Sequence, residues 1–352
     1  MYYFVFAILV FFSFLEIYSE KRNLLWFNVA YGLMSFMAIF RYGQLTDYFN
    51  YEINYEHPEY VIRDPLFSFV MENCNAMGMS YMWFAILMSA LIMALSYPFF
   101  RSICQGSLVS LLIFYSYVFL ILPMSAIRQA LCLAFLLCGF PLLLENRKWL
   151  FYTIVIIGGF IHFSMFSVIL IGLFYQKKWY NEWYVGPILL GFTFFALVTP
   201  DLTAYMPDFL GDKSTGEYQD SRLMQVALRF IIIAPLVFIK PEEDTLGYYA
   251  KAICLIGYCL YCFLSFSSLI AGRLEFFFRI FMSLFAASII FSEKKVYMDK
   301  LLLGTIIMIH VVLFFKNMNS FIVQGDYNQD KVNMFNFPYI SVFDKDELQD
   351  YK

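Results

Sequence analysis

Charge is scarce in this chain: Asp, Glu, Lys and Arg make up 14% of its 352 residues, against roughly a quarter in soluble proteins. That shortage excludes a water-soluble globular domain. With 61% hydrophobic residues and a mean hydropathy of +0.67, the chain is integral to a membrane. Also missing is the recurring short alternation of an outer-membrane barrel, so its long apolar stretches predict helices. Basic residues are few. The 24 Lys and Arg against 27 Asp and Glu give a net charge of −3, which offers nothing to a nucleic acid. Histidine falls to three residues, and none accompanies Cys254, Cys259 and Cys262, which are therefore expected to be small buried hydrophobes. The apolar start, Met1 to Tyr18, has neither a basic leader nor a small-residue cleavage site and predicts a first span.

What is present is a series of apolar windows, at 2–19, 24–40, 79–97, 107–122, 127–144, 150–175, 183–199, 223–239, 247–270, 274–291 and 301–315. They predict an all-α polytopic membrane protein with about 10–12 transmembrane helices and re-entrant or interfacial segments. One helical membrane domain would cover 1–315, with external loops 41–78 and 200–222, ahead of a polar tail, 316–352. Residues 66–78 are too short and too polar to span and predict an amphipathic segment at the interface. Lys21-Arg22, Arg101, Arg147-Lys148, Lys177-Lys178, Lys240 and Lys294-Lys295 place their loops on the cytoplasmic side. Two of these basic connections flank the single window 150–175, which carries Gly158, Gly159 and His162. A broken hairpin that enters and returns reconciles them, provided its irregular backbone lines a cavity. The alternative is one crossing with a misplaced basic loop.

Among the ionisable residues inside these windows or at their edges, Arg41, Asp47, Arg128, His162, Arg229, Arg273 and Arg279 are the candidates for function. Each costs a few kcal/mol there unless it meets a partner or a polar cavity. Under this topology Arg41, Arg63, Arg128, Arg222 and Arg273 collect on the outer side. A guanidinium fork at such a place suits phosphate. Gly43 permits a tight exit that brings Asp47 towards Arg41, while Tyr48 and Tyr51 offer flat faces to sugars. The competing view is an Arg–Asp pair within an aromatic belt. Arg128 follows Pro123 and opens a helix, against the dipole, where a bound phosphate would suit it better. Snorkelling to headgroups is the other account. His162 is either a structural histidine or an imidazole poised for a proton or a phosphate. Arg222 and Arg229 share a helix face, Glu275 can pair with Arg279 four residues on, and Arg273 has no such neighbour.

Four short motifs recur in order: R-x-G-x-x-x-D-Y-x-x-Y (Arg41, Gly43, Asp47, Tyr48, Tyr51), Asp64-Pro65, I-R-Q-A (Ile127 to Ala130) and H-F-S (His162 to Ser164). Together with Arg273 and Pro338-Tyr339, this order resembles the EpsG/Wzy-like polysaccharide polymerases over most of the chain. Asp64 stands where that family more often has Glu. The resemblance implies a multi-pass enzyme of the bacterial inner membrane with a GT-C-like fold and neither metal nor cofactor. It would join oligosaccharide repeat units carried on polyprenyl diphosphate, transferring one glycan to the sugar of a second lipid-linked unit at the outer face. Its partners would be those lipids, membrane lipids, and a chain-length regulator and flippase of the same pathway. On this basis Asp47, His162, Arg128 and Arg273 are candidate catalytic residues. Arg41, Tyr48, Tyr51, Asp64, Gln129, Arg222, Arg229 and Arg279 are candidate substrate ligands. Fixed arginines would face the departing diphosphate, and Asp47 or His162, with Asp64 behind them, would orient the acceptor hydroxyl. The alternatives are a flippase or transporter for the same lipids, which would place charge deep in several helices, an O-antigen ligase, or a membrane acyltransferase.

Overall fold

The computed structural model describes residues 1–43, 47–57, 64–200, 222–292, 297–324, 327–328 and 330–351. The chain forms two compact units. Unit 1 is Met1–Phe166 with Ile307–Lys352, and unit 2 is Ser167–Ile306.

Unit 1 begins with two apolar helices, α1 (Tyr2–Ser19) and α2 (Leu24–Phe40). Glu20 closes α1 at φ 55°, and the Asn23 side chain caps α2 by accepting from Trp26 N at 3.3 Å. Gly43 then takes φ +56°, the left-handed exit that a side chain would resist. Two short helices follow, α3 (Tyr48–Glu56) and α4 (Pro65–Ala76), the latter with Pro65 in its first turn. Next come α5 (Tyr81–Pro98), continued by π-helical turns after Pro98, α6 (Leu108–Ile113), α7 (Ile127–Leu144) and α8 (Lys148–Ile161). In the core, α7 packs along α8 and α5, α1 along α6, and α2 along α5.

Unit 2 contains α9 (Ile169–Phe174), α10 (Val185–Val198), α11 (Arg222–Phe238), α12 (Leu246–Phe263), α13 (Ser268–Arg279) and α14 (Phe281–Ile290). Its centre is α12, packed on α13 and α14 and flanked by α9, α10 and α11. The last long helix, α15 (Tyr297–Gln324), starts in unit 2 and ends in unit 1. After it the chain returns over the start of unit 1. Tyr3 Oη donates to Met334 O at 2.9 Å, Tyr339 Oη to Met37 O at 3.1 Å, and Ser341 forms an antiparallel bridge with Arg41. A last turn, α16 (Leu348–Tyr351), ends the chain.

Among the described residues, five helices are long and apolar enough to cross a bilayer, at Tyr2–Ser19, Tyr81–Ile103, Ile127–Leu144, Leu246–Phe263 and Leu301–Val323, and six shorter apolar helices accompany them. The isolated bridge aside, no strand occurs among the described residues, so the chain is an all-α polytopic membrane protein. The loop expected at 41–78 carries α3 and α4, and α4 is the amphipathic segment expected at 66–78. The loop at 200–222 lies almost wholly outside the described residues.

Two windows differ from the sequence expectation, and a third, 150–175, is interrupted near its middle, where the sequence carries Gly158, Gly159 and His162. The stretch 150–175 is broken at His162, whose backbone is extended (φ −157°, ψ 123°). Beyond it Met165 and Phe166 fold back so tightly that a Cβ on Gly158 would lie 2.8 Å from Met165 Cγ. One on Gly159 would lie 2.3 Å from the Phe166 ring. Two glycines in the last turn of α8 make that approach possible. The window expected at 274–291 begins earlier, at Ser268, so Arg273 sits in the middle of α13 instead of at a helix start. The final helix runs on to Gln324, because Lys316 and Asn317 fall within its regular turns and Asn317 Nδ2 donates to Ser116 O at 2.9 Å.

Candidate functional site

The first turn of α7 presents two polar side chains, Arg128 and Gln129, to the part of unit 1 where α3, α4 and the end of α8 meet. Arg128 Nη1 pairs with Asp64 Oδ2 at the start of α4. Its Nε donates to the Tyr51 hydroxyl of α3 at 3.2 Å, and Cζ lies 5.2 Å from that ring's centre. The Asp64 side chain is 7% exposed and the Arg128 side chain 25%. Arg128 is thus clamped on two of its nitrogens, while the third, Nη2, has no hydrogen-bond partner among the described residues.

Gln129 continues the polar surface. Its Nε2 reaches Ser164 Oγ at 3.5 Å, and Ser164 Oγ lies 2.6 Å from His162 Nδ1, which also accepts from Ser164 N at 3.3 Å. Two contacts on Nδ1 place the ring proton on Nε2. In this arrangement His162 is a donor, and accepting a proton at Nδ1 would require Ser164 to turn away. Cys132 Sγ donates to Gly158 O at 3.3 Å one turn along, tying α7 to the end of α8. Motifs spread from Tyr51 to Ser164 are therefore gathered at one place.

Arg41 is the second cation of unit 1. Only 3% exposed, it donates from Nη1 to Ser89 Oγ at 2.7 Å and to Ala38 O, and its Nε has no partner. Burial lowers its pKa, and the phenols of Tyr81, Tyr48, Tyr2 and Tyr339 act in the opposite direction. The Tyr48 and Tyr81 hydroxyls are likewise buried without partners, their rings 5.1 Å apart. Asp47 stands at the N-terminus of α3. The Arg41–Asp47 pair that the spacing allowed is absent, because the guanidinium turns back into the end of α2 instead. The tyrosine faces expected to meet sugars are also covered. Tyr48, Tyr51 and Tyr55 share one face of α3 and are 3%, 8% and 2% exposed. Tyr55, for example, packs tilted against Phe84 and donates to Met79 O at 2.8 Å. Tyr60 and Arg63 lie outside the described residues.

In unit 2 Glu275 holds two cations at once. Arg229 Nε donates to Oε2 at 2.5 Å and Arg279 Nη1 to Oε1 at 3.4 Å, with the Arg229 guanidinium 4.0 Å from the centre of the Tyr261 ring. The (i, i+4) pair read from the sequence is present, and Arg229 is the closer partner. This triad is buried, with one carboxylate set between two guanidiniums and the Tyr261 ring against Arg229. Arg273 is exposed on the same helix, α13. Arg222 opens α11, and its side chain lies outside the described residues.

Sequence reasoning did not select Ser89 or Tyr81, since a hydroxyl inside an apolar run carries little signal, and it met Ser164 only as the end of the H-F-S motif. It also passed over Glu16 and Lys251, which did carry one, being ionisable groups within helices. Lys251 Nζ is satisfied by Asn181 Oδ1 at 3.0 Å and Ile239 O at 2.8 Å.

A model of the EpsG family matches residues 24–341, nearly the whole chain, and the chain belongs to that family. No curated protein and no solved structure matches it.

Proposed function

Taking EpsG membership as the premise, we propose that this membrane protein is a glycosyltransferase that polymerises lipid-linked oligosaccharide repeat units for a surface polysaccharide. The reaction joins an acceptor sugar hydroxyl to the anomeric carbon of a donor glycan and breaks that carbon's bond to a polyprenyl diphosphate. The hydroxyl proton goes to a base, and the leaving oxygens gain negative charge. A donor fixed in advance beside those oxygens stabilises the transition state more than the ground state.

The observation that supports this reading is Arg128, held by Asp64 and Tyr51 with Nη2 left open. Its orientation is set before any ligand arrives, so a phosphate oxygen meets an ordered cation. Asp64, already committed to that ion pair, serves as a positioning residue. His162, with its proton directed to Nε2 by Ser164, serves as a second donor to the diphosphate. Asp47 remains the candidate base at the start of α3, and Arg273 is the exposed cation through which unit 2 would meet anionic lipid groups. The bacterial inner membrane is the location consistent with such lipids.

One observation favours a second reading, a flippase for the same lipids: charge does lie deep within helices, at Glu275 with Arg229 and Arg279. A deletion strain separates the two. Surface glycan reduced to a single repeat unit supports polymerisation. Complete loss of surface glycan, with lipid-linked units retained inside, supports flipping and contradicts the proposal.

A further inference from the structure

Glu16 is a carboxylate in the last turns of α1, only 2% exposed, and the reaction above has no use for it. Half of its purpose is plain. Oε2 accepts from Ser107 Oγ at 3.0 Å and from Val109 N at 2.9 Å, so Glu16 caps the start of α6 from a neighbouring helix. The other oxygen, Oε1, is buried without any partner. Leaving one carboxylate oxygen unsatisfied away from water is costly.

Beside Glu16 lies a cavity of about 420 Å³ at the turn between α1 and α2. Glu16 forms part of its lining, Phe12, Leu15 and Leu108 supply apolar walls, and Lys21 and Arg22 supply two cations. Phe12 stacks on Trp26 at 4.2 Å, which stiffens one wall. Arg22 also donates to Gln105 Oε1, while Lys21 is exposed with no partner for its Nζ among the described residues. Leu15 and Tyr18 are exposed at 41% and 86%, the apolar side of a helix end that belongs in the membrane.

A ligand that answers every feature of this cavity carries an ammonium with N–H bonds for Oε1, an anion a few bonds away for Lys21 and Arg22, and an apolar body for the walls. We propose that this cavity binds the headgroup of a phospholipid bearing a primary amine, a phosphatidylethanolamine. Its ammonium donates to Glu16 Oε1 and its phosphate lies against Lys21 and Arg22. A choline headgroup has the charge but no N–H to donate, and a glycerol headgroup has hydroxyls but no cation. The site therefore discriminates among lipids of equal tail length by headgroup chemistry.

The test uses the full chain, purified and delipidated, titrated with dioleoyl phosphatidylethanolamine, its N-methyl and N,N,N-trimethyl derivatives, and dioleoyl phosphatidylglycerol. Bound lipid is counted by native mass spectrometry. The expected result is one site at which phosphatidylethanolamine binds at least about tenfold more tightly than the trimethyl lipid or phosphatidylglycerol, an order of magnitude suited to a charge-assisted hydrogen bond. Glu16→Gln keeps a carbonyl oxygen to cap α6 and replaces the free oxygen with a donor, so it should fold and lose the preference. Lys21→Ala, on the surface, should weaken all the lipids with a phosphate alike. Equal retention of the four lipids by the wild-type protein overturns the proposal without any variant. A preference for phosphatidylethanolamine that survives Glu16→Gln overturns the assignment to this cavity.

Discussion

An arginine that is already paired can still serve an anion if one nitrogen stays open, and Arg128 is built that way. Its bond to Asp64 makes the two residues energetically inseparable. A double-mutant cycle on Asp64→Asn and Arg128→Gln should give a coupling of about 1–3 kcal/mol in thermal unfolding, whereas independent sites would add within a few tenths. Tyr81 makes the opposite case. Its hydroxyl has no partner to lose, so Tyr81→Phe should leave the unfolding temperature unchanged or slightly raised; a clear drop would show that the hydroxyl is engaged. At this scale the sequence was most legible where charge interrupts an apolar run. Arg128 and His162 stood out for that reason, and Asp64 through its place before Pro65. Ser164 was visible only as the end of the H-F-S motif; that it joins His162 to Gln129 was not, since Gln129 is 35 residues away. Arg41 was visible, but its inward turn to Ser89 was not, since Ser89 is 48 residues away.

Helices behaved as the apolar windows predicted wherever one window held one regular helix. They departed where a neighbouring element decides the end, as in the extension of α15 to Gln324. Such ends are set by packing, which local periodicity does not encode. The break after α8 rests on Gly159. Gly159→Ala would drive a methyl into the Phe166 ring and should cost about 1–3 kcal/mol. Adding Phe166→Leu should recover part of the loss, a result read by thermal unfolding in detergent. For α3 the lever is pH. Burial, and after it repulsion from Glu56, raise the Glu52 pKa above its ordinary value. An ionised Glu52 therefore opposes the packing of α3, and the opposition fades as pH falls through the raised folded pKa towards the unfolded one. Hydrogen exchange corrected for its intrinsic rate should show α3 better protected at acid than at neutral pH. Glu52→Gln should flatten that difference.

Across the whole molecule, the division into two units at Phe166 and Ile306 had no counterpart in composition, because both units are equally apolar. The tail is the clearest case of function hidden in a bland segment. It fastens α2 through Tyr339 and Ser341 and covers Tyr2 with Phe337, whose ring lies 5.7 Å away. What the family membership adds is a reaction, and purified protein decides it most directly. Wild type in lipid nanodiscs, supplied with a defined polyprenyl diphosphate oligosaccharide and nothing else, should yield a ladder of polymer and free lipid diphosphate. Arg128→Ala should fold and slow that ladder by about 10²–10³. A ladder formed at the same rate by Arg128→Ala would contradict the account, as would wild-type protein that moves the lipid across the bilayer and makes no polymer.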